Sequence, residues 1–286
     1  MINIAHQRGL SMVELLVALA ISGFLVLGLT QIYLDGKRSG IFRQSQAANL
    51  ENSRFAVLIL NELIDKAGYR RSPEQSMFEA FPETNTALPA HCDSFAAEAG
   101  ITKLNSTEGG QTGFCLRYQS AVDDEYMCDG NKADKLPMAQ PPLSQTIYVV
   151  IKFIPHATDL NQGSLSCITS ITSAKLMEGL ADMRIQFGLG DSPSSLSAQT
   201  ADKNLRANNP FVKADTWSVD GIVRVVRYAI LLASRPNQRD SSDSKVLSNW
   251  LAAITDSAHK TRLEKADQRR IYQQVSGTQT LKNMLP

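Results

Sequence analysis

No proline occurs before Pro73, and no charged residue lies between Glu14 and Asp35. The first absence removes the residue that costs a helix interior about 3 kcal/mol, so Leu10 to Ala67 is free to form one helix. Those 58 residues would extend roughly 87 Å at 1.5 Å each. The second absence leaves twenty uncharged residues, Leu15 to Leu34, of which twelve are Leu, Ile, Val or Phe. Charge of one sign is also lacking: 29 Lys plus Arg face 28 Asp plus Glu, so no global field draws the chain to nucleic acid or to an acidic surface. Outside the first residues the histidines are only His91, His156 and His259, without motif. No GxSxG, HExxH, P-loop or paired-carboxylate pattern appears, so no catalytic residue and no cofactor is assigned, and an enzyme is not expected. There is no CxxC, and His91 beside Cys92 is isolated; no metal site is assigned.

The chain opens with Arg8-Gly9-Leu10-Ser11-Met12-Val13-Glu14-Leu15-Leu16. A secretory signal would have an apolar core of about 7–15 residues followed by a small-x-small cleavage site. Here the core is longer, and Gln31-Ile32-Tyr33-Leu34-Asp35 offers no such site. At roughly −0.5 kcal/mol each, the twelve large apolar residues contribute about −6 kcal/mol to insertion, outweighing about 3 kcal/mol for one embedded acid. The span tolerates Glu14, but insertion does not require it, and an acid inside a membrane is functional by default. A basic leader ending in glycine, followed by one acid at the mouth of a retained apolar run, resembles the class III signal of type IV pilins and their relatives. The resemblance implies cleavage by prepilin peptidase between Gly9 and Leu10, N-methylation at Leu10, and an assembly role for Glu14. Residues 1–9 are then a cleaved leader, 10–34 a transmembrane helix half and 35–68 the outer half of the same helix. Residues 69–286 form the globular domain. His6 and Arg8 keep the leader cytoplasmic and place the rest outside.

An even cysteine count in an oxidising periplasm reads as disulfides. Cys92, Cys115, Cys128 and Cys167 allow three pairings; the sequential set, Cys92–Cys115 and Cys128–Cys167, is favoured because each closes a moderate loop, stabilising by roughly 3–4 kcal/mol. Asp123-Asp124-Glu125, with Asp129 and Asp134, offers oxygen ligands for calcium but does not follow EF-hand spacing, and reads as a solvated acidic turn. Lys260, Arg262, Lys265, Arg269 and Arg270, alternating with Glu264 and Asp267, likewise read as a solvated face.

Gly68 is placed to cap the long helix, with Tyr69–Pro73 as its exit and a bend allowed near Gly36 or Gly40. Beyond Pro73 the periodicity changes. Asp182–Leu189 alternates apolar and polar as a half-buried strand. Thr112–Tyr118, Thr146–Ile154, Ser164–Ile171 and the more apolar Arg224–Ala233 are further strands. Ile271–Val275 and Thr278–Lys282 suggest a hairpin around Gly277, and Lys245–Lys265 a short helix near Trp250. Trp217 and Trp250 read as core or interface residues. Gly190–Pro210 and Pro236–Lys245 have loop composition. The fold expected is α+β: a long N-terminal helix, membrane anchor plus amphipathic half, packed on a mainly antiparallel sheet, or two sheets.

Three blocks narrow the resemblance. Leu176–Gly188, Trp217–Arg235 and Arg269–Asn283 are similar, in order, to segments of PilW-type minor pilins, with a looser match at Cys128-Asp129-Gly130. Leu10 stands where many pilins begin the mature chain with phenylalanine, and the membrane helix lacks the proline common in major pilins. The resemblance implies a structural subunit that initiates or tips a type IV pilus. It would reside in the bacterial inner membrane as a single-pass protein with a periplasmic C-terminal domain, and then in the pilus. Its partners would be prepilin peptidase, the major pilin, other minor pilins and the inner-membrane assembly platform, with a tip adhesin as a further candidate and no directly bound nucleic acid. A type II secretion pseudopilin shares the signal and is the alternative; a membrane-tethered enzyme or binding module is a third class.

Overall fold

The computed structural model describes residues 11–84, 91–133, 146–190, 211–214, 217 and 221–284. The chain forms two compact units, Met1–Ser45 and Gln46–Pro286. Helix α1, Met12–Lys66, begins in the first and ends in the second, and is helical through Gly36 and Gly40, where the sequence allowed a bend.

In the first unit α1 exposes its apolar residues on every side, Leu19 and Phe24 among them. Its small polar side chains are satisfied within the helix. Ser22 Oγ donates to Leu19 O at 2.9 Å, Thr30 Oγ1 to Val26 O at 2.7 Å, and Gln31 Nε2 to the Asp35 carboxylate at 3.3 Å. Such bonding back to the preceding turn lets a hydroxyl lie in an apolar medium without an unpaired donor.

In the second unit α1 buries Asn49, Ser53, Ala56, Leu60, Leu63 and Ile64, and Ala67 follows. Steps of three and four keep these positions on one face. That face meets two antiparallel sheets. The first has strands β1 (Ile101–Lys103), β2 (Thr112–Gln119), β3 (Thr146–Ile154), β4 (Ser164–Ile168) and β5 (Ser173–Glu178), in that order. The second contains β6 (Leu180–Gly190), β7 (Phe211–Lys213), β8 (Ile222–Ala233) and β9 (Tyr272–Thr280), ordered β7-β6-β8-β9. Leu60 and Ile64 share one buried cluster with Phe114, Ile151 and Leu165 of the first sheet and Phe187 and Ile230 of the second. A single turn, α2 (Met77–Ala80), is held by a Ser76–Glu79 capping box, and two short helices, α3 (Lys245–Ala252) and α4 (Ser257–Lys265), cover part of the outer face of the second sheet.

Three expectations need correction. The expected terminal hairpin is one continuous strand, β9, paired with β8 from Tyr272 to Thr280. Gly277 is not a turn residue: it lies opposite Tyr228, and a Cβ there would overlap the Tyr228 phenol, with Cε2 at 2.9 Å. The glycine leaves room for that ring to cross toward α1, where its hydroxyl donates to Asn61 Oδ1 at 2.8 Å. The strand expected to be half-buried, β6, is buried at nearly every position, because α3 and α4 cover its outward-facing start. The charged stretch from Lys260 to Arg270 is only partly a solvated face, since Arg270 is 1% exposed. Its guanidinium donates to Ser234 O at 2.8 Å and pairs with Asp159 at 2.8 Å, which alternating charges in the sequence conceal.

The end of α1 is closed from two directions. Gly68 takes φ +71° and donates its amide to Arg117 O at 2.9 Å, while Asn283 Nδ2 donates to Asp65 O at 2.7 Å and Ala67 O at 3.2 Å. A left-handed glycine after the last helical turn and an amide on the orphan carbonyls satisfy what the helix leaves unpaired. Lys282 pairs with Asp65 at 3.0 Å.

Candidate functional site

At the start of α1 the Leu15 amide bonds Ser11 O at 3.1 Å, which places Glu14 in the first turn, where a carboxylate suits the helix dipole. Glu14 is exposed and has no hydrogen-bond or ion-pair partner among the described residues. Gly9 and Leu10, the expected processing and methylation positions, lie outside the described residues. After Glu14 the helix is long and apolar enough to cross a membrane, and none of that apolar window is buried within the protein. The arrangement is one unpaired carboxylate at the end of an uncovered apolar cylinder, a surface far larger than the scattered apolar patches of monomeric soluble proteins.

The globular unit is fastened at its edges. Cys92 is bonded to Cys115, with Cα atoms 5.9 Å apart, and Cys128 to Cys167 at 6.1 Å. The first bridge ties the segment containing Phe95 to β2, over the first sheet's outer face, where Phe95, Leu104 and Val150 form a separate cluster. Arg117 completes that attachment. Fully buried, it donates Nε to Ala99 O at 2.7 Å and NH1 to Pro82 O at 2.7 Å, while NH2 reaches Ala96 O at 2.8 Å and Phe81 O at 3.1 Å. Its guanidinium lies 4.8 Å from the Phe95 ring centre and 5.3 Å from that of Phe81. Burial lowers its pKa to about 10, leaving the charge in place at neutral pH. Nothing in the sequence marks this arginine, since it occupies an ordinary polar position of a strand.

The second bridge anchors the acidic turn to β4. Its three consecutive acids each meet a cation: Asp123 pairs with Arg71 at 2.9 Å, Asp124 with Lys132 at 3.3 Å, and Glu125 with Lys66 at 3.0 Å. Glu125 also accepts from the Ala121 amide at 2.9 Å, and Asp129 from the Asn131 amide at 3.0 Å around Gly130. Asp134 lies outside the described residues. Burial, then the Glu125 and Asp129 carboxylates, pushes the nearby Tyr118 phenol up. These contacts join the end of α1 to the turn and the turn to the first sheet.

Asp182, also missed in the sequence, is fully buried beneath α3 and α4. It accepts from Trp250 Nε1 at 2.7 Å, bonds His259 Nε2 at 2.9 Å, and has Arg262 at 3.7 Å. An aspartate beside a histidine invites comparison with hydrolytic dyads, but no serine or cysteine side chain meets His259 among the described residues. The other groups on Asp182 are structural. The cluster fastens α3 and α4 to the start of β6, and the single acid at an alternating strand position gave no sign of it.

A model of the prokaryotic N-terminal methylation motif matches residues 4–30. No curated protein matches the chain. Among solved structures, a type IV-like pilin from Thermus thermophilus is similar over 84% of this chain and 99% of its own, at 8% identity and a TM-score of 0.38.

Proposed function

We propose that the chain is a PilW-type minor pilin. Prepilin peptidase cuts between Gly9 and Leu10, and Leu10 is N-methylated. Residues 10–34 hold the subunit in the inner membrane with residues 69–286 in the periplasm, until it joins the major pilin and other minor pilins at the assembly platform to initiate or tip the filament. A tip adhesin is a further candidate partner.

The observation that carries this reading is the Glu14 carboxylate inside the methylation motif, without a partner among the described residues, at the head of an apolar helix segment whose side chains are exposed. An unpaired charge at membrane depth costs about 3 kcal/mol on insertion scales, so a partner is favoured. The amine freed on Leu10 by cleavage lies four residues away, about 6 Å along a helix. When helices stack side by side with an axial stagger, the carboxylate meets the amine of the neighbouring subunit. Both charges are neutralised as Leu15–Leu34 packs against its neighbours.

In a strain lacking the native copy, Glu14→Ala and Glu14→Gln should insert and be processed normally, yet appear in sheared filaments at less than about a tenth of the native level, the ratio for a lost 1.4 kcal/mol. Gly9→Val should retain Met1 on N-terminal sequencing. Normal incorporation of Glu14→Ala would refute the role given to the carboxylate.

A further inference from the structure

Strand β9 forms one edge of the second sheet, and its pairing with β8 runs from Tyr272 to Thr280 without a bulge. Just beyond its two ends, the Ser234 amide donates to Ile271 O and the Leu281 amide to Arg224 O, each at 2.9 Å. Hydrogen-bonded pairs alternate along an antiparallel ladder, so the odd-numbered residues from Ile271 to Leu281 turn their amides and carbonyls to β8. Tyr272, Gln274, Ser276, Thr278 and Thr280 therefore turn theirs the other way, a row of five amides and five carbonyls roughly 27 Å long. No backbone or side-chain group among the described residues bonds this row.

Natural sheets guard such edges with charge, proline or shortness, because an unpaired edge invites another strand. The other three edge strands among the described residues are guarded: β1 and β7 have three residues each, and β5 carries Lys175 and Glu178. β9 has nine residues, none of them charged and none proline. Its Gln274, Ser276, Thr278 and Thr280 side chains are exposed, so the row is open from the outer face. Where β9 begins, a recess of about 480 Å³ lies between it, α1 and α3, and no charged residue lines it. Leu50 gives the recess an apolar side, and Gln46, Asn249 and Gln274 bring carboxamides that have no partner among the described residues.

We propose that β9 takes up an uncharged extended segment of a partner protein as a further strand, with one end of that segment lodged in the recess. A row of donors and acceptors at the strand repeat is complementary to the backbone of another strand, which supplies affinity, while the flanking side chains set preference. The edge and the recess are both neutral, so a charged segment would lose water without gaining a counter-charge. A second copy pairing antiparallel through its own β9 does not fit. β9 runs along α1 in the same direction: Asn49 Nδ2 donates to Ile271 O at 3.2 Å, Gln273 Nε2 to Ser53 Oγ at 3.4 Å, and Gln279 Nε2 to Asp65. Two β9 strands related by a two-fold axis would set the adjoining helix segments antiparallel, whereas subunits entering a filament from one membrane share a polarity. That exclusion alone rests on the function proposed above; the docking edge does not.

The test uses the full-length protein in mild detergent and three fluorescent nonapeptides: one alternating valine with serine and threonine, the same peptide N-methylated at its four central residues, and the same peptide with aspartates for the hydroxyl residues. Anisotropy should show the first binding at least about tenfold tighter than either of the others, because N-methylation removes backbone donors and aspartate adds unpaired charge. Ser276→Pro should weaken it by about tenfold or more, since the amide it removes points away from β8 and the ring stands in the path of the new strand. Residue-resolved hydrogen exchange on the native chain is the second arm, and it decides the matter if proline unsettles the strand. The Gln274, Ser276 and Thr278 amides should exchange freely without peptide and become protected when the first peptide saturates. Equal binding of the N-methylated peptide, tighter binding of the aspartate peptide, or full binding by Ser276→Pro in a folded protein would each overturn the proposal. So would unchanged exchange at saturation, or protection of these amides that rises with protein concentration alone, the mark of a second copy. None of these measurements reads filament incorporation, so a failure here leaves the role of Glu14 standing.

Discussion

Replacing Gly277 by alanine should loosen the second sheet from α1. Gly277 is held opposite Tyr228 by β8–β9 pairing that continues on both sides, so the strand cannot retreat without breaking ladder bonds. The added methyl group would meet the phenol, and the ring must swing away from Asn61, to which it donates at 2.8 Å. Overpacking costs about 1–3 kcal/mol, and the lost hydrogen bond about 1 kcal/mol more, for a total of about 2–4 kcal/mol. Tyr228 is fully buried, so Tyr228→Leu alone should also cost about 2–4 kcal/mol through lost packing. With the ring gone the methyl group has space, and Gly277→Ala added to Tyr228→Leu should cost less than about 1 kcal/mol. The assay is urea unfolding of the full chain in mild detergent, followed by the fluorescence of Trp217 and Trp250, comparing midpoints at constant slope. If Gly277→Ala costs the same, within about 0.5 kcal/mol, with and without the Tyr228 ring, the reasoning is wrong.

Non-reducing peptide mapping of the protein isolated without reductant should find Cys92 linked to Cys115 and Cys128 to Cys167; breaking either with a paired serine substitution should cost about 3–4 kcal/mol, and a Cys92–Cys128 or Cys92–Cys167 peptide would refute the pairing. Arg117→Met should remove the guanidinium donor from four carbonyls, of which those of Phe81 and Ala96 keep a backbone donor, destabilise the domain by about 3 kcal/mol, and raise amide exchange between residues 91 and 99; unchanged exchange there would contradict its role. Burial pushes the Tyr228 phenol up to about 12, and Tyr118 and Tyr272 move in the same direction. Their neutral forms therefore contribute stability that is complete below pH of about 10, the unfolded value, and declines as pH rises toward the folded values. Tyr228→Phe should flatten the loss between pH of about 10 and 12, and an unchanged alkaline profile would count against it.

What was legible in the sequence was what periodicity and punctuation encode. The missing prolines allowed one helix, Gly68 marked its end, alternation located β6, and β-branched, aromatic and apolar runs located β2, β3, β4 and β8. The two-sidedness of β6 was hidden because Asp182 and Arg184 read as solvent positions. Only the folded chain brings Trp250 and His259 over them, from 68 and 77 residues away. Gly277 was misread for a related reason. Glycine in a strand signals either a turn or a close approach, and the ring that approaches it belongs to another strand. Arg117 and Arg270 escaped notice because a buried arginine is recognisable only by the carbonyls around it, and backbone carbonyls leave no trace in a residue pattern. Glu14 was the opposite case: its surroundings are apolar over a contiguous stretch, so its oddity is local and visible at once.

The amide that closes the end of α1 comes from Asn283, 218 residues beyond the carbonyl of Asp65 that it caps. At about 5–20 residues per second, roughly 10 to 45 s of synthesis separates the helix end from its cap. For much of that interval the buried stripe around Leu60 and Ile64 waits for the second sheet, which β8 and β9 complete only late in the chain. A chain interrupted upstream of Leu281 would leave the helix open at the same place. Closure of α1 is therefore among the last steps along the chain, since the group that caps the helix is made only after all the strands.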